Sequence, residues 1–527
     1  MSTTNSPTAT HVEDLETGRD GNKGGAVVSE LGTGRWWTDE EERQVRRKVD
    51  LNVLPLMFVL YALAFLDRSN IGNAKVQLVP DLGFSDSQFQ WLLTIFYIAY
   101  ILFQWCMIFY AIFPPRKFVA ICVFFWGLAS TLQATAYNWS GMMAARFFMG
   151  IFEAAWSTGV AFFFTTLFTK KEIGFRFAIF VSGSAVASAF AGALAYGLLQ
   201  TNTAIAPWRL LFVIEGAPTI LMAPFVWFFL PDDLSSARFL SDRERKIALC
   251  RLAEQEGDLA GSADGAEDQA AEGKGALAMS AREKAVEEIK AKFNPRAGIE
   301  AFKEPLAYCA AALYFLLNCS YSSLPIYLPT ILQGLGYSSI NAQGYSAPPY
   351  VCAFVVALTA AFVSDRTGYR GTPCIFMATL AAVGYIILGT STEDHTRYGA
   401  CFMVAIGLFS FIPLVIYWLL LNQSNKSKRG VALAILGTTG QCGTILGTRL
   451  FPAKDGPRYQ RGFFVCGSLL FFAALLVCVS LGCMLLSNAR KEKRCPLKAG
   501  LSPEQEREKQ RDIAANGEKS DYYRWTL

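Results

Sequence analysis

Two charged residues and two amides stand together at the end of an apolar stretch. Asp67, Arg68, Asn70 and Asn73 belong to the segment FLDRSNIGNA, which closes an apolar run that begins at Leu51. A charge deep in a membrane helix costs at least about 2.5–3.5 kcal/mol, so it is rare there and usually functional. At about 1.5 Å per residue, a helix from Leu51 carries Asp67 about 24 Å into a hydrocarbon core about 30 Å thick. We therefore expect Asp67 and Arg68 to be buried; the alternative is a helix end at the membrane surface.

A second pair of charges lies in the apolar run over residues 141–166. Arg146, Gly150 and Glu153 are spaced four and three residues apart, which places them on one stripe of a helix. This run should cross the membrane in the direction opposite to the first, so Arg146 reaches the depth of Asp67 and an Asp67–Arg146 ion pair is expected. Glu153 should lie nearer the membrane centre, where a carboxyl group can take up and release a proton. The alternative is that these charges only neutralise one another to fix the bundle.

A third group of polar residues lies in the apolar run over residues 304–332. It contains Asn318 and Tyr321, followed by Pro325 and Pro329 in the segment LPIYLP. Proline frees backbone carbonyl groups, which a membrane interior tolerates only where protein or water satisfies them. We expect a break in this helix beside a polar cavity, while a simple packing kink fits the same residues.

The composition of the chain defines the class of protein that surrounds these residues. Its 527 residues are 53% hydrophobic and 17% charged, which excludes an ordinary soluble enzyme, and a net charge of +5 does not indicate nucleic acid as a partner. Apolar runs of about 20 residues, each long enough for a membrane helix, recur along the chain. The 13 cysteines are scattered without a metal-binding spacing. We predict an all-α membrane protein that is not an enzyme and that uses neither a cofactor nor a metal.

The apolar runs divide into six before and six after a long polar stretch. They cover residues 51–72, 89–111, 117–136, 141–166, 176–199, 208–230, 304–332, 348–364, 372–390, 398–421, 430–451 and 462–487. The predicted organisation is a tail, a six-helix bundle, a linker with amphipathic helices, a second six-helix bundle and a second tail: 1–50, 51–230, 231–303, 304–487 and 488–527.

Charges in the connections predict the orientation of these spans. Lysine and arginine gather on one side, for example at Arg116, Lys117, Arg366 and Arg370, and the positive-inside rule places that side in the cytoplasm. Both tails should therefore be cytoplasmic, and we expect a multi-pass protein of the plasma membrane.

Short helices are also predicted next to the spans. Thr38 begins the segment TDEE, which is typical of a helix cap and leads into a short basic helix ahead of the first span. Ser241 and Glu244 have the spacing of a capping box at the start of a linker helix. Residues 281–293 suit a further amphipathic helix, and the sequence between the two linker helices is typical of a flexible acidic connector.

Several longer motifs resemble a known family. FLDRSNIGNAKV from Phe65, ARFFMGIFEA from Ala145, WRLLFVIEGAPT from Trp208 and YLPTILQGLGYS from Tyr327 are similar to segments of the fungal allantoate permease family, within the major facilitator superfamily. SDRTGYR from Ser364 looks like the superfamily's loop motif after span eight. The resemblance covers residues 45–490 and implies the major facilitator fold of twelve helices in two bundles.

Members of the allantoate permease family are proton-coupled carriers of small organic anions such as allantoate, nicotinate and pantothenate. The resemblance therefore implies that Arg68 meets the substrate carboxylate, while Asp67 and Glu153 carry coupling protons. Arg146 would be the charge partner of these carboxylates. Span five has no signature of the kind that accompanies antiport in the superfamily, so symport is favoured.

The remaining predicted site residues are polar or belong to the loop motif. Asn70, Asn318 and Tyr321 are expected to bind the substrate beside the arginine, and Asp365 and Arg366 are expected to gate it. Ala361 occupies a glycine position of the loop motif, so the gate has less support from the sequence than the substrate site has.

The expected partners are a small organic anion, protons and the lipid bilayer, with no nucleic acid, and we expect a monomer. Two other functions fit the same residues. One is export of an organic acid metabolite, and the other is a nutrient sensor of transporter fold that binds without net transport.

Overall fold

The computed structural model describes residues 37–198, 200, 204–257, 305–422, 426–495, 509 and 520–526. Within these ranges every regular element is a helix, as predicted. The long helices are α1 (Asp39–Leu82), α2 (Asp86–Phe103), α3 (Pro115–Leu132), α4 (Trp139–Ser157), α5 (Lys170–Leu198), α6 (Pro207–Phe229), α7 (Pro305–Gly334), α8 (Ser339–Thr367), α9 (Gly371–Thr390), α10 (Asp394–Leu421), α11 (Lys426–Gly447) and α12 (Gln460–Arg494).

Eleven of the described helical segments are long and apolar enough to cross a membrane, and Val431–Gly447 in α11 is a shorter apolar helix. Shorter helices connect or flank the long ones: Gln104–Ile108, Phe109–Ile112, Gln133–Thr135, Val160–Leu167, Asp242–Gly257 and Ala453–Asp455. Residues 1–36 of the tail predicted over 1–50, and the predicted helix over 281–293, lie outside the described residues.

Helix α1 is much longer than the span predicted over residues 51–72. It begins with a capping box, in which the amide of Glu41 donates to the Thr38 hydroxyl at 3.3 Å and the amide of Thr38 donates to the Glu41 carboxylate at 3.0 Å. It ends at Gly83, whose φ of 65° is the left-handed conformation typical of a helix stop. The expected short basic helix and the first span are therefore one helix of 44 residues. Asp67 lies about four turns before its end, well away from either terminus.

The prolines of α7 do not break the helix, contrary to the expectation from the sequence. Pro325 and Pro329 lie inside one continuous helix. Instead of opening a gap, this part of α7 packs closely on α1: a Cβ atom on Gly72 would lie 2.7 Å from the Cα of Ile326. Only glycine permits this backbone contact between the two helices.

The two halves of the chain touch at both ends of the bundle. We call the end where α1 begins and α12 ends the terminal face, and the other end the opposite face. Near the opposite face, the Arg449 guanidinium donates to Gln90 at 3.3 Å and to Thr94 at 3.2 Å. At the terminal face, the rings of Phe175 and Phe362 lie 6.1 Å apart. The space between the halves is therefore bounded by contacts on both faces.

The helix Asp242–Gly257 packs on the terminal face. The predicted capping box is present, since the Ser241 amide donates to the Glu244 carboxylate at 2.9 Å and the Glu244 amide donates to the Ser241 hydroxyl at 3.4 Å. Burial opposes ionisation of Glu244, but hydrogen bonds from Lys48 and from the Ser241 amide hold its pKa below the ordinary value. The Lys48 ammonium lies 2.6 Å from Glu244. This part of the linker is thus attached to α1.

Residues 520–526, which we call the C-terminal segment, dock on the terminal face between α10 and α12. Asn422 binds the backbone of Thr526: its oxygen accepts from the amide at 2.8 Å and its nitrogen donates to the carbonyl at 3.1 Å. Asn488 binds the backbone of Trp525 in the same way, with both bonds 2.9 Å long. Part of the predicted tail over 488–527 is therefore bound to the bundle through two asparagine side chains.

The C-terminal segment also reaches the part of α10 that contacts the first half of the chain. The Trp418 indole donates to the carbonyl of Thr526 at 2.9 Å. The preceding residue, Tyr417, has its ring against Gly174 of α5. Binding of the segment therefore holds the end of α10 next to its contact with α5.

We expect Asn422→Ala to lower the melting temperature of the purified protein, because the half-buried amide of Thr526 loses this partner and its carbonyl keeps only the Trp418 indole, at a cost of about 0.5–1.5 kcal/mol. Deleting residues 520–527 should also lower it, and Asn422→Ala should add little to the deletion. Asn341→Ala, at an exposed position of α8, is the matched control. Losses that simply add in the combined variant would contradict the docking.

Candidate functional site

Arg68 and Glu153 form an ion pair in the interior of the bundle. Nη2 of Arg68 contacts Oε1 of Glu153, whose side chain is fully buried. The guanidinium also lies over the rings of Phe96 and Tyr100, with its carbon 5.3 Å from each centroid. An anion and two aromatic faces together stabilise a positive charge that water reaches poorly. The second oxygen of Glu153 has no hydrogen-bond partner among the described residues.

Asp67, the neighbour of Arg68 in the chain, is held by three neutral donors. Its Oδ1 accepts from the Ser130 hydroxyl at 2.6 Å, and its Oδ2 accepts from the Trp126 indole at 2.7 Å and the Thr219 hydroxyl at 3.0 Å. The side chain has no exposed surface. Helices α3 and α6 thus supply a polar pocket in which Asp67 can carry a charge without a cation beside it.

The expected Asp67–Arg146 ion pair is not formed. Both terminal nitrogens of Arg146 point instead at the backbone carbonyl of Arg68, at 3.5 Å. The physical reason is helix rotation: residues 67 and 68 are about 100° apart around α1, so Asp67 faces α3 and α6 while Arg68 faces α4. Arg146 is 1% exposed and makes no ion pair with a carboxylate in the described part of the chain.

A narrow cavity between the two halves has Arg68 on its wall. It is lined from the first half by Phe65, Arg68, Ser69 and Tyr97, and from the second half by Asn318, Tyr321, Ser322, Pro325, Ile326 and Thr444. The arginine therefore provides a cation on one side, and amide and hydroxyl groups of α7 and α11 provide neutral polar partners on the other.

The cavity brings together three of the four residues predicted to bind substrate. Arg68, Asn318 and Tyr321 line it, whereas Asn70 does not. The Asn70 side chain is fully buried elsewhere along α1, and neither atom of its amide group finds a hydrogen-bond partner in the residues that the structure describes. Asp67 and Glu153, the predicted proton carriers, lie behind the cavity wall.

The two residues predicted to gate the site have different surroundings and do not act on one another. Asp365 forms an ion pair with Arg370, at 2.6 Å, while Arg366 is exposed. Gly368, with a φ of 74°, ends α8 and reverses the chain, so Arg370 returns to the end of that helix. The Arg370 guanidinium also lies 4.7 Å from the centre of the Tyr417 ring. Of the two arginines in the loop motif, Arg370 is thus the one that pairs with Asp365 and contacts α10 at the terminal face.

One buried carboxyl group was missed by reasoning from the sequence. Glu215 of α6 is 1% exposed, and neither of its oxygens has a hydrogen-bond partner among the residues described. The available signal was the one that singled out Asp67, an acidic residue inside an apolar run.

A family model described as Major Facilitator Superfamily matches residues 57–448. This chain belongs to the Major Facilitator Superfamily. Among its relatives in the superfamily is "MFS transporter prlL" from Fungal sp. (strain NRRL 50135), 33% identical over 457 residues that cover 84% of this chain and 86% of that protein. "Major facilitator-type transporter hxnP" from Emericella nidulans is 30% identical over 503 residues, covering 93% and 94%.

Solved structures of Major Facilitator Superfamily transporters have a similar fold. A bacterial homolog of the human lysosomal transporter Spinster, in an inward-facing and occupied conformation, has a TM-score of 0.55 at 16% identity, covering 81% of this chain and 96% of that chain. The xylose transporter XylE from E. coli, in a partially occluded inward-open conformation, has a TM-score of 0.54 with the same identity and coverage. The predicted fold class is confirmed, and the protein is a membrane transporter rather than an enzyme.

We expect Arg68→Met to strand the Glu153 carboxylate and destabilise the protein by up to about 3–5 kcal/mol, as removal of one partner of a buried pair does. The double variant Arg68→Met/Glu153→Gln should recover part of that loss. Arg68→Met and Asp50→Asn are the matched control, and their effects should add because about 27 Å of α1 separates these residues. Melting temperatures of the purified variants test this, and additive losses for Arg68 and Glu153 would reject the pair.

Proposed function

We propose that the protein is a proton-coupled symporter of a small organic anion with a carboxylate group, such as nicotinate, allantoate or pantothenate. The observation that carries this proposal is the position of Arg68, which lines the cavity and pairs with Glu153 behind the wall. A guanidinium presents a planar fork that suits a carboxylate, and a buried carboxyl group can hold a proton. One ion pair therefore links an anion site to a proton site.

Coupling follows because Glu153 and a substrate carboxylate use the same partner. While Glu153 is ionised, it neutralises the charge of Arg68, and an anion in the cavity is attracted only weakly. When Glu153 takes up a proton, the Arg68 guanidinium is left without its anionic partner and attracts the substrate carboxylate. Each ligand thus favours binding of the other, and this reciprocity is the requirement for symport.

Transport in this proposal alternates between the two faces of the bundle. Opening to the terminal face would separate α5 from α10 where Tyr417 packs on Gly174. Opening to the opposite face would separate α2 from α11 where Arg449 binds Gln90 and Thr94. In this proposal, the arrangement in which both sets of contacts are present together is a closed intermediate between the two open states.

The orientation and membrane of the protein are part of the same proposal. Basic residues at the ends of helices, such as Arg116, Arg370 and Arg494, lie at the terminal face, which therefore faces the cytoplasm under the positive-inside rule. In the plasma membrane, with this orientation, an inward proton gradient would drive uptake by a monomer.

We expect Arg68→Lys to reduce uptake at least about tenfold, equivalent to about 1.4 kcal/mol, because a point charge replaces the bidentate fork. The measurement is uptake of radiolabelled nicotinate, allantoate and pantothenate by proteoliposomes under an imposed pH gradient. Arg47→Lys, at an exposed position of the same helix α1, is the matched control and should transport normally. Near-normal uptake by a folded Arg68→Lys protein would argue against a carboxylate site at this residue.

We expect Glu153→Gln, which mimics the protonated form, to exchange substrate between equal pools but not to accumulate it. In the wild type, uptake should rise as the pH of the entry side falls, because protonation of Glu153 frees Arg68. In the variant this pH dependence should disappear. Counterflow and gradient-driven uptake of the same anion compare the two. A variant that still accumulates substrate in response to the pH gradient would show that Glu153 is not the essential coupling group.

A further inference from the structure

Glu215 lies where no hydrogen bond from a described residue stabilises a negative charge on its carboxyl group. Its side chain is 1% exposed, and both carboxyl oxygens lack a hydrogen-bond partner among the described residues. Helices α3 and α6 are in backbone contact beside it: a Cβ atom on Gly216 would lie 2.8 Å from the amide nitrogen of Thr131, and one on Gly127 would lie 2.9 Å from that of Ile220. A buried carboxylate without a cation or donor is strongly disfavoured, so these surroundings favour the protonated form of Glu215.

The charged group that acts on Glu215 is Asp67. Helix α6 packs against α1, α3 and α5. Helix α1 contributes Asp67, whose charge interacts with Glu215. Next to Asp67, α3 contributes Trp126 and Ser130, which do not ionise. The charged residues of α5 lie at the terminal face, where Arg176 pairs with Asp50 of α1, about 25 Å along that helix from Asp67.

Thr219 fixes the relation between the two carboxyl groups. It lies one turn after Glu215 on the same stripe of α6, and its hydroxyl donates to Asp67 at 3.0 Å. On the other side of Asp67, Arg146 and Glu153 of α4 also act on its charge. Asp67 therefore stands between the Arg68–Glu153 pair, which faces the cavity, and Glu215, which lies deeper in the first half.

We propose that Glu215 and Asp67 together form a second proton-binding site, separate from the cavity, in which Glu215 holds the proton while Asp67 is ionised. Transfer requires the Glu215 side chain to turn towards the Thr219 hydroxyl, one turn along α6, because neither of its oxygens is hydrogen-bonded to a described residue. The Thr219 oxygen then takes the Glu215 proton as Thr219 passes its own proton to the Asp67 oxygen that it already binds, so the charge of the pair stays at minus one. The three donors around Asp67 stabilise its ionised form before the transfer. The transfer moves a negative charge away from Arg146 and Glu153 and towards Glu215.

This site deepens the proposed function and rests on it in one respect, the binding of a substrate anion by Arg68. In a symport cycle, the site supplies Asp67 with a proton from inside the protein instead of from the cavity. A proton on Asp67 removes the negative charge next to Arg68 in the chain, and the attraction of Arg68 for a substrate anion becomes stronger as a result.

Infrared spectroscopy of the purified protein, without substrate, tests the site. In a Glu153→Gln background, which removes the contribution of that residue, we expect a carbonyl-stretching band of a buried carboxylic acid at neutral pH. Glu215→Gln should abolish the band. Asp67→Asn should shift it, because the neighbouring charge is gone. Glu393→Gln, at the exposed residue just before α10, is the matched control and should leave it unchanged.

Two results would overturn the proposal. One is a band that persists in Glu215→Gln, and the other is a band that is lost in Glu215→Gln but does not shift in Asp67→Asn. If Glu215→Gln does not fold, Glu215→Asp serves instead, and its acid band should shift without disappearing; an unshifted band there would also count against Glu215. Because no substrate is present, these outcomes are independent of symport. Wild-type vesicles without proton-driven uptake would refute the proposed function, whereas the expected band changes would still support the Glu215–Asp67 site.

Discussion

The ion pair between Arg68 and Glu153 imposes a close approach of three helices. Both side chains are held away from water, so the surrounding helices must supply the stabilisation that water would give. Helix α4 comes against α2 at Gly150, where a Cβ atom would lie 2.5 Å from the carbonyl oxygen of Phe96. That contact falls between Arg146 and Glu153 on the same stripe of α4. It places the Phe96 ring of α2 beside the Arg68 guanidinium. Because Gly150 has no side chain, α2 can come close enough to stabilise the buried charge of Arg68 in α1.

Helix α1 connects the polar sites of the molecule because it is continuous through the whole bundle. Near its start, Asp50 binds Arg176 of α5 with hydrogen bonds of 2.5 and 2.6 Å. Further along, Gly72 touches α7, and Asp81 accepts from the Trp208 indole of α6 at 2.8 Å. A tilt or rotation of this one helix would therefore change contacts at the terminal face, the cavity and the opposite face at once. A break between a basic helix and a separate first span would not transmit motion in that way.

The sequence indicated site residues wherever a charged residue lay inside an apolar run. Charges in apolar runs located Asp67, Arg68, Arg146 and Glu153, and the same rule applied evenly would have included Glu215. Which of these groups meet could not be predicted, because depth follows from position in the run whereas rotation depends on how neighbouring helices pack. The pairing of Arg68 with Glu153 is a result of rotation, and spacing along one helix says nothing about the face that a second helix presents.

Predictions from neighbouring residues alone were wrong about the length of α1 and about a break in α7. The cap at Thr38 was recognised, but nothing in the local pattern ends the helix between it and the first span, since Pro55 is accommodated within α1. In α7, Pro325 and Pro329 were expected to open the backbone, yet the helix continues. Close packing against Gly72 is a tertiary contact, and a residue-by-residue reading of α7 does not contain it.

The docked C-terminal segment sets an order of folding events during synthesis. Thr526 follows Asn422 by 104 residues, so the end of α10 leaves the ribosome well before the segment that binds it. The ends of α10 and α12 can therefore be joined at the terminal face only after α11 and α12 have been made. A fluorescent protein or affinity tag fused directly after Leu527 would lie next to the contact between Thr526 and Asn422 and would load the end of α10. A tag placed before Met1 avoids this attachment point, and is the better choice when the terminal face is to be preserved.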